Sequence, residues 1–379
     1  MSQKFVTKVN PTILKWAREQ CGFSYEEAAG KSLKAKKLIE IENGNKYLTF
    51  NQLLNISKKY GRNPAFFYLK EIPYEDLIED FRTLESSKIK FSPKLRREIY
   101  IIKDKRELAV EFQEYDKNYD YSYVNSISLN DSIKNIAKKI LEYLKISFEL
   151  KENWKDEYIA LNGWKEAIEE QGILIFNISK IDIVEMRAFS ISEIPYPVIA
   201  LNRSDSPFGR IFSLIHEFCH IMLQKGGICT YNSEDENLFE IESFCNAVAG
   251  EVLVPSEALL ANRSVKEHSH LKEWNEEELK LLSRYFKVSS EVILRRLLTL
   301  NLTTKAYYKE MIQIWKERRR YKTTGGGEKG YELVLRKNSL NFIKIVINAM
   351  NENKILLTDV SYYLGTKLKH LDKIIENIK

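Results

Sequence analysis

The chain has 379 residues, 44% of them hydrophobic and 12% aromatic, which is typical of a globular protein with two or three domains. It contains no run of 18 apolar residues and no signal-peptide core at its start, so we expect a cytoplasmic protein with no membrane partner. Its four cysteines lack regular spacing, which excludes a disulfide framework and predicts reduced thiols.

Positive charge is concentrated at the N-terminus. Residues 1–70 hold 13 Lys and Arg against five Asp and Glu, a net charge of +8. Since the whole chain carries +6, the remainder sums to −2. A basic segment beside a nearly neutral body predicts an electrostatic footprint for nucleic acid, and a solvated basic surface without a partner is the alternative.

Residues 10–70 carry the start and stop signals of five short helices. Ser24 with Glu27 three residues later forms a capping box, and Asn43-Gly44 ends the third helix. The predicted helices begin at Asn10, Ser24, about Lys34, Thr49 and Asn63. We therefore expect an all-α N-terminal domain over residues 1–72.

This segment resembles an XRE-type helix-turn-helix domain. The landmarks are Leu14-x-x-Ala-Arg18, Gly22-Phe-Ser-Tyr-Glu-Glu-Ala28, Ile41-Glu-Asn-Gly44 and Leu53-x-x-Ile56. In that fold the third helix enters the major groove, so the resemblance implies double-stranded DNA as a partner. The candidate nucleic-acid-binding residues are Tyr25, Lys34, Lys36 and Lys37, and lysines at a helix start suit phosphates more than base edges.

The segment also departs from the XRE pattern. The interval from Gly22 to Gly44 is one residue shorter than usual. Tyr25 or Ser24 stands where a glutamine often clamps a phosphate, and Leu48 stands where a proline is usual. A protein-docking domain that presents or recognises a repressor is therefore the alternative.

Residues 73–149 are expected to form a helical linker region. Asp80-Phe-Arg-Thr-Leu84 looks like a link that follows the first domain. Residues 92–147 are charged, with apolar residues at periodic positions, which predicts a long helix or a helical hairpin. Nothing in this region points to catalysis.

Residues 216–220 read His-Glu-Phe-Cys-His, in a chain with only five histidines. Two histidines four residues apart lie on one face of a helix and can bind one metal ion. Glu217 then lies beside the metal, placed to take a proton from a bound water. Apolar residues on both sides of the motif predict that this helix is buried.

Catalytic zinc takes three protein ligands, so a third must come from elsewhere. Residues 239–255 read as a second helix that stops near Pro255 and carries Glu242 and Asn246 on one face. We expect Glu242 to be the third ligand and Asn246 to hydrogen-bond a ligand histidine. The weaker alternatives for the third ligand are Asp235, Glu236 and Glu240.

Three cysteines lie in or near the motif: Cys219, Cys229 and Cys245. We expect them to be small apolar core residues, and a redox-sensitive thiol near the metal is the alternative. The group that stabilises the oxyanion is not identified by the pattern. The candidates for that role are Arg187, Tyr231 and His268.

The two helices resemble the ImmA/IrrE family of zinc peptidases. His216-Glu-x-x-His220 is followed by the ExxAN-like Glu242-Ser-Phe-Cys-Asn246 and by Leu253-Val-Pro255. Upstream, residues 164–176, 185–190 and 197–202 look like the helix, strand and β-hairpin of that family. The resemblance covers residues 150–260. Cys245 replaces the usual Ala and Val248 the usual Phe, and neither change removes a catalytic group.

The resemblance implies a thermolysin-like zinc endopeptidase with a glutamate as third ligand, and a transcriptional repressor as its protein substrate. Cleavage would then serve a stress, phage, mobile-element or toxin–antitoxin response. The alternative is a non-proteolytic DNA-binding transcriptional regulator, or a toxin–antitoxin component, whose metallopeptidase-like domain senses or docks. The oligomeric state stays open, with a homodimer as one option.

The remaining chain is expected to be helical. Residues 261–322 predict an extension that packs on the core, with two helices around Val288-Ser-Ser, and a second DNA-binding unit is the alternative. The glycines at 325–327 predict a break before a C-terminal helical module over residues 323–379, for docking or sensing. The predicted fold class is α+β and predominantly helical, with a thermolysin-like zincin core, a small β-sheet and helical regions at both ends.

Overall fold

The computed structural model describes residues 6–31, 33–72, 91–112, 119–147, 150–151, 153–224, 236–268, 272–319 and 330–378. Several predicted features lie outside these residues: residues 80–84, Cys229, Tyr231, Asp235 and the glycines at 325–327. The side chain of Glu236 is also outside the described part.

The protein is mostly helical with two small sheets, which agrees with the predicted α+β, predominantly helical class. It divides into two compact units, Met1–Leu108 and Ala109–Lys379. The division falls within one helix, Pro93–Phe112. The finer division into five regions stays a prediction. None of the described helices is long and apolar enough to cross a membrane.

The N-terminal unit contains the five predicted helical segments, the last of them a 3-10 helix. Their bounds are Pro11–Gln20, Tyr25–Ala29, Ala35–Glu42, Phe50–Tyr60 and Pro64–Tyr68. The capping box between Ser24 and Glu27 is present, because each side chain bonds the other residue's backbone N–H. Arg18 Nε donates to Glu42 Oε1 at 2.9 Å, and this buried ion pair joins the first helix to the third.

The expectation that this unit is all-α was wrong in one detail. Strand β1 (Val6–Thr7) pairs antiparallel with strand β2 (Leu48–Thr49). The backbone is extended here because Leu48 is fully buried, while the Thr49 side chain caps the following helix. Two-residue strands are too short to leave a periodic pattern in the sequence.

The C-terminal unit is built around a three-stranded sheet. The strands are β3 (Leu174–Ile178), β4 (Ala188–Ile191) and β5 (Val198–Asn202). Their order is β3-β5-β4, with β3 parallel to β5 and β4 antiparallel to it. Every residue of the three strands is buried, so both faces of the sheet are covered.

Helices cover both faces of this sheet. On one face, Ile175, Ile199 and Ala188 share a core with the helix Pro207–Met222, which we call the histidine helix. On the other face, the ring of Phe176 packs against Phe342 with centroids 5.6 Å apart. The strand alternation therefore directs one set of side chains to the histidine helix and the other to the C-terminal helices.

The other helices of this unit include Glu236–Leu253, which we call the glutamate helix. The rest are Ile133–Tyr143, Glu157–Glu169, Ser256–Ala261, Arg263–Lys266, Glu276–Phe286, Ser290–Thr299, Lys305–Arg319, Gly330–Lys337, Leu340–Asn351, Leu357–Leu364 and Leu371–Ile378, with a 3-10 turn at Leu368–His370. The two helices predicted around Val288 are confirmed. Within the C-terminal helical module, the left-handed backbone of Gly365 ends the helix Leu357–Leu364.

The C-terminal helices are anchored to the sheet layer through a buried carboxylate. Glu169 Oε1, at the end of the helix Glu157–Glu169, accepts from Ser339 Oγ at 2.6 Å and from Leu340 N at 3.0 Å. Asn341 Nδ2 donates to the Glu169 backbone carbonyl at 2.6 Å. The start of the helix Leu340–Asn351 is thus held at the C-terminal end of the helix Glu157–Glu169, which precedes β3 in the chain.

Candidate metal centre

The histidine helix is placed by its cap and by its apolar surface. Ser206 caps it by accepting a hydrogen bond from Gly209 N at 3.1 Å, and Pro207 occupies the first turn. Every residue from Ile211 to Met222 is buried. Two imidazoles and a carboxylate are therefore enclosed with the apolar residues, and such buried polar groups need partners.

The glutamate helix is fixed at its C-terminal end by a buried ion pair. Glu251 pairs with Arg296 of the helix Ser290–Thr299. Arg296 Nε also donates to Val254 O at 3.0 Å, and Glu251 Oε1 accepts from both Ser256 N and Ser256 Oγ at 2.9 Å. Gly250 makes room for this arrangement, because a Cβ there would lie 2.9 Å from Arg296 Cδ.

Three candidate ligand atoms converge between the two helices. Nε2 of His216 lies 3.1 Å from Nε2 of His220 and 3.2 Å from Oε2 of Glu242. Nε2 of His220 lies 3.2 Å from Oε1 of Glu242. Within the described part of the chain, these three residues are the group of His, Cys, Asp or Glu that could hold a metal ion.

The size of this triangle fits a tetrahedral ion. Zinc binds histidine nitrogen and carboxylate oxygen at about 2.0–2.1 Å, so its ligand atoms lie about 3.3 Å apart in tetrahedral geometry. The observed separations of 3.1–3.2 Å are close to that value. Three ligands from the protein leave a fourth position for a water or substrate atom, as catalytic sites require.

The charges of the three residues are coupled. Burial disfavours the imidazolium of His220, but its hydrogen bond with Glu242 and the nearby carboxylate charges outweigh this and raise its pKa to about 9. Burial disfavours the carboxylate of Glu242, yet its hydrogen bonds with both histidines hold its pKa well below the usual range. Without a metal, the carboxylate and the imidazolium therefore form an ion pair.

Glu217 lies beside the triangle and is fully buried. Its Oε2 accepts a hydrogen bond of 2.7 Å from Ser190 Oγ, at the third position of β4. Its Oε1 has no hydrogen-bond partner among the described residues. Burial raises the pKa of Glu217, against the lowering effects of the two histidines and Ser190. One oxygen is held in place, and the other is available to a reacting group.

A cleft opens beside the triangle. It is lined by Arg187, Ala188, Phe212, Ser213, His216, Glu217 and Glu242. Of the oxyanion candidates, Arg187 lines this cleft. His268 does not line it, and its ring instead stacks on Trp274 at 3.7 Å, with Nδ1 3.0 Å from Glu278 Oε1.

Asn246 does not make the predicted hydrogen bond through its carbonyl oxygen. Asn246 Oδ1 and His216 Nδ1 both lack a partner among the described residues. Cys219 and Cys245 are both 0% exposed and lie in the apolar core. They fill space between the helices.

The candidate nucleic-acid-binding residues lie around the helix Ala35–Glu42. Lys34 is its N-cap residue, and Lys34 and Lys36 are exposed. Lys37 is half-buried, and its Nζ donates to Gln52 Oε1 at 3.3 Å. Tyr25 is also half-buried, with the Arg18 guanidinium 4.0 Å from the centre of its ring. Their role in binding nucleic acid stays a prediction.

Sequence reasoning missed Ser190 and Asp205. The first contacts Glu217, and the second pairs with Arg187 at 3.3 Å. Ser190 had one available signal, since it is the polar residue of an otherwise apolar strand. Asp205 resembles an ordinary loop acid beside the helix cap, and no local pattern links it to a residue 18 positions earlier.

Two histidines and an intervening glutamate on one helix, with a carboxylate from the next, define a metallopeptidase-like centre. The peptidase M78 family model, described as the IrrE N-terminal-like domain, matches residues 168–298. This match, over about a third of the chain, supports a relationship to the ImmA/IrrE family. It extends past the expected limit of 260 to include the helices Glu276–Phe286 and Ser290–Thr299. A search of curated proteins found no similar protein.

Proposed function

We propose that this protein is a zinc-dependent endopeptidase. The observation that carries the proposal is the convergence of His216, His220 and Glu242, whose candidate ligand atoms lie 3.1–3.2 Å apart, with Glu217 buried beside them. The donor set of two imidazoles and one carboxylate suits zinc, and the match to a peptidase family supports the same class. Bound zinc supplies a Lewis acid that polarises a carbonyl and acidifies a water.

Glu217 acts as the proton carrier. Its Oε1 takes the proton of the attacking water and returns it to the amine that leaves when the peptide bond breaks. Ser190 holds Oε2 at 2.7 Å, which keeps Oε1 in one orientation throughout. The enclosed position of Glu217 makes its carboxylate a stronger base, because burial disfavours the charged form.

The position of β4 supports a polypeptide substrate. This strand is at one end of the sheet order, and among the described strands it pairs only with β5. Ala188, its first residue, lines the cleft beside the candidate ligands. The residues of β4 are themselves 0–5% exposed, so an extended peptide would meet this strand at Ala188, where it lines the cleft beside Glu217.

We further propose that the substrate is a transcriptional repressor or regulator, cleaved in a stress, phage, mobile-element or toxin–antitoxin response. The support is the resemblance to the ImmA/IrrE family together with the basic N-terminal segment. The first candidate to test is any repressor encoded beside this protein's own gene.

The experiment incubates the zinc-loaded full chain with that repressor and analyses the products by mass spectrometry. Discrete fragments are expected from the wild type, and none from a Glu217→Gln variant that still binds one zinc per chain. Glu240→Gln, on the same helix as Glu242, is the control for loss of a nearby carboxylate. Cleavage at the wild-type rate by Glu217→Gln would contradict the mechanism. Bound zinc without any cleavage would favour a domain that senses or docks.

The N-terminal unit is proposed to bind double-stranded DNA through the start of the helix Ala35–Glu42. Exposed Lys34 and Lys36, within a segment of net charge +8, support this. A gel shift against the protein's own promoter, over a salt series, tests it. Lys34→Gln/Lys36→Gln should weaken binding and flatten the salt dependence, while Lys134→Gln should not. Absence of binding even at low salt would leave the protein-docking alternative.

A further inference from the structure

Hydrolysis of a peptide bond places negative charge on the carbonyl oxygen, and that charge needs a donor in a fixed position. The ligands and Glu217 are acceptors or metal-binding groups. Among the other residues that line the cleft, Arg187 carries the cationic side chain. Ser213 is a neutral hydroxyl inside a helix, where serine commonly donates to the preceding turn. Among the described residues that line the cleft, Arg187 is therefore the cationic hydrogen-bond donor.

We propose that Arg187 binds the carbonyl oxygen of the scissile peptide and stabilises the charge that develops on it. The inference rests on the proposed endopeptidase function. Attack by water on the carbonyl carbon moves the π-electron pair onto the oxygen, and the guanidinium holds that oxygen by hydrogen bonding without transferring a proton. When the C–N bond breaks, the pair returns to form the carbonyl, and the amine leaves with the proton from Glu217.

The backbone of Arg187 is held in a fixed position. Its carbonyl accepts a hydrogen bond of 2.9 Å from Asn202 N. Asn202 is fully buried, and its Nδ2 donates to Ile181 O at 3.1 Å and to Met186 O at 2.8 Å. The turn that leads into β4 is thus tied to the end of β5, which sets where the Arg187 side chain begins.

The Arg187 side chain is oriented by Asp205. Arg187 Nη1 donates to Asp205 Oδ2 at 3.3 Å, and the Asp205 side chain is only 5% exposed. Asp205 Oδ1 in turn accepts from Ser206 N at 2.8 Å. The carboxylate packs against Gly209 of the histidine helix, where a Cβ would lie 2.4 Å from Oδ1. Only glycine at 209 leaves room for the carboxylate in this position.

The chemistry of the guanidinium suits this task. Arginine stays charged throughout the working pH range and carries five N–H donors in a rigid fork. The bond to Asp205 orients the fork, and five donors are enough for a further bond to a substrate oxygen. The Arg187 side chain is 28% exposed and lines the cleft, so a substrate in the cleft can reach it.

The first test measures binding rather than turnover. The probe is an N-phosphoryl dipeptide amide, whose tetrahedral anion resembles the charged state of the peptide, titrated calorimetrically into the zinc-loaded full chain. We expect Arg187→Met to weaken binding by about 100-fold, the usual effect of removing one oxyanion donor, with one zinc still bound. Arg187→Lys should recover part of the loss. Arg263→Met is the control, because Arg263 is exposed, pairs with Glu267 and does not line the cleft.

The second test separates kcat from KM on the cleaved substrate. Arg187→Met should lower kcat by about 100-fold and change KM by less than about threefold, since the bond to the oxygen strengthens as charge develops. Asp205→Asn should lower kcat by about tenfold by loosening Arg187. A merely structural role would instead change zinc content and stability.

Equal binding of the phosphoryl peptide by zinc-loaded wild type and Arg187→Met would overturn the role of Arg187. Absence of binding by the zinc-loaded wild type would overturn it as well. Failure of the proposed function has a different signature: the wild type would bind zinc but cleave no repressor, whatever residue stands at 187.

Discussion

Glu217 and His220 show how burial and neighbouring charges act on single residues of this site. Both are enclosed, yet the pKa of each is raised for a different reason. The pKa of Glu217 is raised because burial disfavours its charged form. The pKa of His220 is raised because the hydrogen bond and charge of Glu242 outweigh the opposite effect of burial. A metal ion would replace the proton on His220, so metal binding and protonation compete for the same nitrogen.

Zinc affinity should therefore depend on pH. Because the pKa of His220 is raised from its ordinary value to about 9, the residue is protonated below that pH and must lose its proton to bind zinc. The zinc Kd should fall by about tenfold for each pH unit between pH 6 and pH 8, and level off near pH 9. Competition with a chelator of known pH dependence measures it. A Kd that stays constant over this range would contradict the prediction.

Ser190 should matter for rate and not for metal binding. Ser190→Ala removes the hydrogen bond to Glu217 Oε2, so the carboxylate loses its fixed orientation. We expect kcat for repressor cleavage to fall by about tenfold, with zinc stoichiometry unchanged. Ser190→Thr keeps the hydroxyl and suits a strand, so it should restore most of the rate. Equal rates for the alanine and threonine variants would argue against a role for the hydroxyl.

At the scale of elements, the site depends on how two helices are held together. The histidine helix carries two candidate ligands four residues apart. The glutamate helix carries the third, and its far end is held by the buried ion pair of Glu251 and Arg296. Cys245 and Ala249 occupy the buried side of that helix, where small side chains permit close packing.

Breaking the buried ion pair of Glu251 and Arg296 should lower the stability of the fold much more than breaking a surface ion pair. Arg296→Met leaves the buried Glu251 without its cation, which costs about 3–5 kcal/mol in comparable buried pairs. Arg263→Met removes an exposed pair with Glu267 and should change stability by less than about 1 kcal/mol. Urea unfolding followed by circular dichroism compares the two. Similar unfolding midpoints for both variants would show that the Glu251–Arg296 ion pair contributes little to stability.

At the scale of the whole molecule, the two compact units divide the proposed tasks. The C-terminal unit contains the complete candidate metal centre, and the N-terminal unit contains the exposed lysines. In the C-terminal unit, the histidine helix covers one face of the sheet, and the helix Leu340–Asn351 packs on the other face. The Glu169 carboxylate holds the last helices against it.

Zinc should stabilise the folded protein, because the three ligands come together only after folding. Zinc at 100 times its Kd adds about 2.7 kcal/mol to the free energy of unfolding. The melting temperature should rise on adding zinc to chelator-treated protein, and Glu242→Gln should reduce the rise. Differential scanning calorimetry at several zinc concentrations measures it. A melting temperature unaffected by zinc in the wild type would contradict metal binding at this site.

Local sequence patterns were sufficient to predict the features that depend on interactions between residues close together in the chain. The histidine pair follows from helical periodicity, the five N-terminal helical segments from capping and stop residues, and the buried histidine helix from its apolar flanks. Glu242 was inferred from a helix face and a resemblance, and the structure brings it within 3.2 Å of both histidines. In each case the relevant interaction spans a few residues or repeats a known spacing.

Tertiary structure alone decided the sheet order, the hydrogen bond from Ser190 to Glu217, the pairing of Asp205 with Arg187 and the docking of Ser339 on Glu169. These contacts join residues 18 to 170 positions apart. No periodic sequence pattern predicts these contacts, because each depends on which strands pair and on which side chains become partners in the folded core. The histidine motif by itself predicted a metal site. The surroundings that orient its base, and that place a cationic side chain in its cleft, came from the packing of distant segments.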